Sequence, residues 1–149
     1  MDKALPKDET IIDFEATKVK EAVNKFIELN QDSDFHVESR NDHTGYYVLN
    51  ILKNNFWNGY SSGDMNISVR EHEKTRTKII VETQNTGMKD PENYEDLAEA
   101  QSQFLHALFN ILTGNLSQKA VVIPKGKGCL GTLLILISIG IGSLYYLVY

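Results

Sequence analysis

Two stretches of this chain carry apolar residues at helical spacing, and several shorter ones alternate them, which divides the sequence into an ordered set of elements. Thr10 to Phe14 (TIIDF) predicts a short strand with Ile12 and Phe14 on one face. Thr17 offers an N-cap for a helix to about Asn30, with Val19, Ala22, Val23, Phe26 and Ile27 as its apolar stripe. After the polar break at Asn30–Asp34, Phe35 to Ser39 alternates, with Phe35 and Val37 inward and His36 and Glu38 outward. Asn41 to Gly45 is a turn by composition. Tyr46 to Lys53 (YYVLNILK) is the most strand-like run. Both its faces, Tyr47/Leu49/Ile51 and Tyr46/Val48/Leu52, are apolar, so either it is central or something covers its second face.

A turn at Lys53–Asn55 leads into the aromatic stretch Phe56 to Asp64. Met65, Ile67 and Val69, then Thr77, Ile79, Val81 and Thr83, alternate on either side of the charged turn Glu71–Thr75, which reads as an antiparallel hairpin. Asp90-Pro91 fits an N-cap followed by proline at the first helical position. From there a helix runs to about Thr113, its broad apolar face including Leu97, Phe104, Leu105, Leu108 and Ile111, with Gly114 as its stop. The order β-α-β-β-β-β-α predicts an α+β fold: an antiparallel sheet of about five strands with two helices on one face.

The last stretch, Cys129 to Tyr149, contains no charged side chain. As a helix it is about 30 Å long, the thickness of a bilayer's hydrocarbon core. The expected organisation is a polar, disordered lead-in (1–8), a water-soluble domain (9–114), a tether (115–128) and one C-terminal transmembrane helix (129–149). Lys119, Lys125 and Lys127 precede the span, so the positive-inside rule puts the domain on the cytosolic side. The N-terminus, MDKALPKDET, lacks the apolar core of a signal peptide. On the cytosolic side the sequons at Asn66 and Asn115 would stay unmodified. Within the span, Ser138 and Gly142 allow close helix approach and hence self-association, against the alternative of a bare anchor.

At 149 residues with a formal net charge of -5, the chain holds one small acidic domain without a basic stripe, which argues against nucleic acid as a partner. The lone cysteine, Cys129, excludes an internal disulfide and a thiolate metal cluster; beside a membrane it is either a palmitoylation site or a passive small residue.

Trp57, Gly59 and Gly63-Asp64 leading into Ile67 and Val69, followed by Thr77 to Val81 and the Asp90–Asn93 helix entry, resemble small bacterial domains of a reduced helix-grip type, similar to the START/Bet v1 class. The resemblance spans residues 9 to 113. It implies binding of an apolar ligand, or a protein contact, between sheet and helix, and it carries no catalytic residue.

Candidate chemistry is sparse. His36, His43, His72 and His106 show neither the His-x-His nor the His-x-x-x-His spacing of a metal site, and no cofactor is expected. Tyr60 to Asp64 has small residues but neither the Gly-x-Ser-x-Gly elbow nor a Walker lysine. Ser61 or Ser62 with His36 and Asp64 is a chance triad, and Glu71 and Glu73 sit among Arg70, Lys74 and Arg76 as a solvated hairpin end. Phe56, Trp57 and Tyr60 either plug the core or form an exposed patch. With Tyr46, Val48 and Leu52 they make the candidate binding surface. The expected function is therefore a tail-anchored, non-enzymatic membrane protein whose domain binds a partner protein or an apolar ligand. The rivals are an accessory subunit that contacts a membrane complex through its span, and a small serine-dependent hydrolase.

Overall fold

The computed structural model describes residues 5, 7–55, 59–87, 89 and 91–124, with backbone alone at 54, 55, 59 and 60. The elements are β1 (Lys7–Ile12), α1 (Ala16–Leu29), β2 (Phe35–Asn41), β3 (Tyr46–Asn55), β4 (Gly59–Glu73), β5 (Arg76–Asn85), α2 (Pro91–Leu112) and α3 (Gln118–Val121). The five strands form one sheet in the order β1-β5-β4-β3-β2, every neighbouring pair antiparallel. Both long helices pack on one face of it. This is the α+β arrangement that the alternation of apolar residues predicts.

The helix-facing side follows the period-2 pattern: Tyr47, Leu49 and Ile51 of β3, Met65, Ile67 and Val69 of β4, and Ile79 and Val81 of β5 are all buried. All five residues of the predicted α1 stripe are buried against them. Phe26 of α1 meets Phe35 of β2 and Phe104 of α2 edge-on, at centroid distances of 5.4 and 4.9 Å. That three-ring junction ties both helices to the sheet edge.

Several boundaries differ from those expected, each for a local reason. β1 begins at Lys7, within the predicted lead-in, because the backbone of β5 pairs with it from Lys7↔Glu82 to Ile12↔Thr77. α1 starts at Ala16, one residue before the predicted cap, and Glu15 takes the cap position without a side-chain bond. β4 starts at Gly59 and so absorbs Ser61–Asp64, a stretch with the composition of a turn. It is a strand there because β3 pairs with it on one side and, from Gly63, β5 on the other. Residues 115–124, expected as tether, carry α3 and bury Val121 and Ile123. Lead-in residues 1–4 and 6, Asp90 and residues 125–149, with Cys129, Ser138 and Gly142, lie outside the described residues. Among the described residues no helix is long and apolar enough to cross a membrane.

The β2–β3 turn is anchored to α1 through Asp42. One of its oxygens accepts from Asn24 Nδ2 (2.8 Å) and Tyr47 Oη (3.0 Å), the other from Arg40 Nε (3.0 Å). Asn24's amide chiefly, then Tyr47 and Arg40, hold the Asp42 carboxyl below its ordinary pKa against the opposing effect of burial. Burial first, and then the Asp42 carboxylate, pushes the Tyr47 hydroxyl above the usual phenol range. A carboxyl that ionises more readily when folded binds fewer protons in the folded state, so its stabilisation is present above the unfolded pKa and is lost as pH falls through the folded one. Glu9, paired with Lys78, shifts in the same direction. The urea midpoint of the domain is therefore expected to fall as pH drops below about 4, and Asp42→Asn should flatten that acid limb. An Asp42→Asn limb as steep as the parent's would remove Asp42 from the account.

Candidate functional site

The predicted binding surface divides. Tyr46, Val48 and Leu52 stand on the sheet face opposite the helices, where Tyr46 is 43% and Leu52 42% exposed. β3 is an interior strand, flanked by β4 and β2, and among the described residues no element covers this face. The face is more polar than its β3 column suggests. Tyr46 Oη donates to Asn66 Oδ1 (2.8 Å), and Asn50 Nδ2 donates to Asp64 Oδ1 (2.9 Å). Phe56 and Trp57 lie outside the described residues, as does the Tyr60 side chain, although Tyr60's backbone pairs with Asn54.

The serine–histidine–aspartate set is not assembled. Ser61 is buried on the helix-facing side and donates to Asp96 Oδ2 (2.7 Å). Asp64, on the open face, accepts from Asn50. His36 sits on β2 opposite Asn50, which itself sits opposite Asp64. The His36 and Asp64 positions are thus two strands apart, about 10 Å. Among the described residues no group of three His, Cys, Asp or Glu side chains is placed to hold a metal ion.

At the centre of the layer between sheet and helices, Phe26, Tyr47, Met65, Leu97 and Phe104 are completely buried. Open volume instead flanks Phe35. One cleft of about 310 Å³ lies between the C-terminal turn of α1 and the start of β2, walled by Phe26, Ile27, Phe35, Val37 and Leu49 with Asn30, Gln31 and His36. The other, of about 280 Å³, lies beneath α2. Its apolar lining is Phe35, Ile51, Ala100, Ile123 and Pro124, and its polar lining is Asp34, Lys53, Asp96, Glu99 and Gln103.

The polar side of the second cleft is a fixed cluster. Lys53, at the end of β3, falls on the helix-facing side by strand alternation, under the first turns of α2. Its Nζ lies 2.7 Å from Asp96 Oδ1 and 2.7 Å from Glu99 Oε2. Gln103 Nε2 donates to the other oxygen of Glu99 (3.0 Å). Burial opposes the charge on Lys53, but the bonds to Asp96 and Glu99 outweigh it and hold its pKa above the ordinary lysine value. The ammonium stays charged at neutral pH, so the cluster can orient a polar group beside the apolar lining. Sequence reasoning missed this site because its members are far apart in the chain. Asp96 and Glu99, one helical turn apart, were legible only as polar positions on a helix.

The fourth wall is the chain's own continuation, pinned by Asn30. This buried amide donates to Phe26 O (2.9 Å) and Val121 O (3.0 Å) and accepts from the Ile123 N–H (2.8 Å). It serves as a one-residue strand partner for the tail and satisfies backbone groups that burial would otherwise strand.

No protein-family model matches the chain, and no curated protein matches it. Solved structures do align with it. The di-domain ARO/CYC protein StfQ from the steffimycin biosynthetic pathway is 12% identical at a TM-score of 0.41, over 76% of this chain. The chain spans 45% of StfQ's length. Ara h 8.0201 is 10% identical at a TM-score of 0.40, over 73% of this chain and 97% of its own. The ZhuI aromatase/cyclase from Streptomyces sp. R1128 is 11% identical at a TM-score of 0.32, over 76% and 93%. At these scores no residue role passes from them to this chain.

Proposed function

We propose that this chain is a membrane-tethered, non-catalytic binding protein that takes the alkyl part of an amphipathic ligand into the cleft beneath α2. The observation that carries the reading is an open apolar recess bounded on one side by the Lys53–Asp96–Glu99 cluster. An apolar lining with a few convergent polar groups, one of them with a shifted pKa, is the common form of a small-molecule site. The volume of about 280 Å³ is at the small end for such sites and suits a short alkyl chain. The uncharged Cys129–Tyr149 stretch is the membrane anchor, entered from the side of Lys119, Lys125 and Lys127, with the domain on the cytosolic side.

Ala100 is buried and lines the recess from α2, so Ala100→Phe directs a ring into it. The variant is expected to lose about tenfold or more in affinity for a dansyl-labelled fatty acid, measured by fluorescence titration, while keeping its circular dichroism spectrum. Undiminished binding by Ala100→Phe would move the site elsewhere. The competing reading is a protein partner on the open face of Tyr46, Val48 and Leu52. It gains if Leu52→Lys abolishes a membrane crosslink that Ala100→Phe leaves intact.

A further inference from the structure

The path of the chain after α2 determines which end of the domain the tether leaves from. α2 ends at Leu112, beside Phe14 and Lys18 at the start of α1. Gly114, with φ +79, then reverses the direction. The returning stretch is held in turn by Asn110 Nδ2 on Ala120 O (3.0 Å) and by Asn30 on Val121 and Ile123. It reaches the opposite end of the sheet, where Pro124 shares the cleft wall with Lys53.

We propose that this latched return holds the domain on the bilayer in one orientation, with the Lys53 end of the sheet and the mouth of its cleft toward the lipid headgroups. The inference rests on the reading of Cys129–Tyr149 as a membrane span. From Pro124 to Cys129 the chain has five residues, which reach at most about 18 Å. Were the return undocked, the fifteen residues from Gly114 to Cys129 would reach about 50 Å. The ten residues of β5 extend about 33 Å, so the longer tether would let either end of the sheet meet the membrane and the shorter one does not. Lys125 and Lys127 lie inside the short connection, where anionic headgroups would draw it closer still. An amphipathic ligand could then pass between bilayer and cleft without crossing bulk water.

The test uses the full chain with Cys129→Ser in phosphatidylcholine vesicles that carry an acceptor dye on the headgroups. A donor dye is placed on Asp32→Cys, exposed in the turn before β2, or on Thr75→Cys, exposed in the β4–β5 turn at the far end. Energy transfer is expected to be several-fold stronger from position 32 than from position 75. A flexible Gly-Ser insertion of about ten residues after Pro124 should erase most of that difference without touching the fold. Asn30→Ala should act in the same direction. Equal transfer from both positions in the parent, or stronger transfer from 75, overturns the orientation while leaving the tether intact. Release of the parent chain from the vesicles by alkaline carbonate overturns the tether and the orientation together.

Discussion

Phe26→Ala will lower the stability of the domain by about 3–5 kcal/mol, the usual cost of removing a fully buried phenylalanine. Phe26 has no exposed surface, and its ring meets Phe35 at an interplanar angle of 85° and Phe104 at 89°. Each such edge-on pair adds about 0.5–1.5 kcal/mol beyond burial, so this position belongs at the upper end of the range. A domain of this size has about 5–15 kcal/mol in total, so the loss removes a large share of it. Urea unfolding of residues 1–124 should show a lower midpoint with an unchanged slope. A change below about 1 kcal/mol would mean that the three-ring junction does not hold the helices to the sheet.

Gly63→Val is expected to destabilise by about 1–3 kcal/mol or more, through overpacking instead of a cavity. The backbone at Gly63 is not in the left-handed region, so conformational freedom is not the reason for glycine. Space is. A Cβ there would lie 2.6 Å from the Gln84 carbonyl oxygen and 2.7 and 2.8 Å from the two Cδ atoms of Leu97. α2 thus rests its Leu97 side chain directly on the β4 backbone. The clash with Leu97 can relax and the one with the β5 carbonyl cannot. Gly63→Ala combined with Leu97→Ala should therefore cost less than the sum of the single changes, measured as a double-mutant cycle in urea. Strict additivity would show that Leu97 does not press on this glycine.

These two positions also mark how far the sequence can be read. Phe26 announces itself, because Val19, Ala22, Val23, Phe26 and Ile27 repeat at helical spacing and all five are buried. Met65/Ile67/Val69 and Ile79/Val81 announce themselves by alternation. Gly63 does not. Ser61-Ser62-Gly63-Asp64 has the composition of a turn, and it is a strand because β3 and β5 supply hydrogen-bond partners and α2 needs small residues beneath it. Local propensity lost there to tertiary pairing. The tail shows the same limit. Val121 and Ile123 read as a brief apolar interruption of a tether, and only Asn30, more than ninety positions away in sequence, makes them part of the core.

The candidate site was the least legible part. Lys53, Asp96 and Glu99 look like ordinary surface charges one by one, and Phe35 and Ala100 like ordinary core. Their meeting depends on where α2 crosses the end of β3, which no local pattern encodes. Tyr46, Val48 and Leu52 were visible because a strand with two apolar faces is unusual, yet the polar neighbours that temper that face sit on β4, as Asn66 and Asp64.

The sequence by itself determined the order of the five strands and two long helices, the apolar stripe of α1, the buried faces of β4 and β5, and the presence of a long uncharged C-terminal stretch. It put Val37 of β2 inward, where the structure leaves it 47% exposed beside a register shift, and it did not anticipate α3. Periodicity and charge are local properties that each element carries alone. Only the tertiary structure decided the strand order, the strand identity of Ser61–Asp64, the gathering of Lys53 with Asp96 and Glu99, and the return of the chain to Pro124. Each of these depends on backbone pairing or side-chain contact between segments far apart in the chain, and such contacts form only when the whole domain packs.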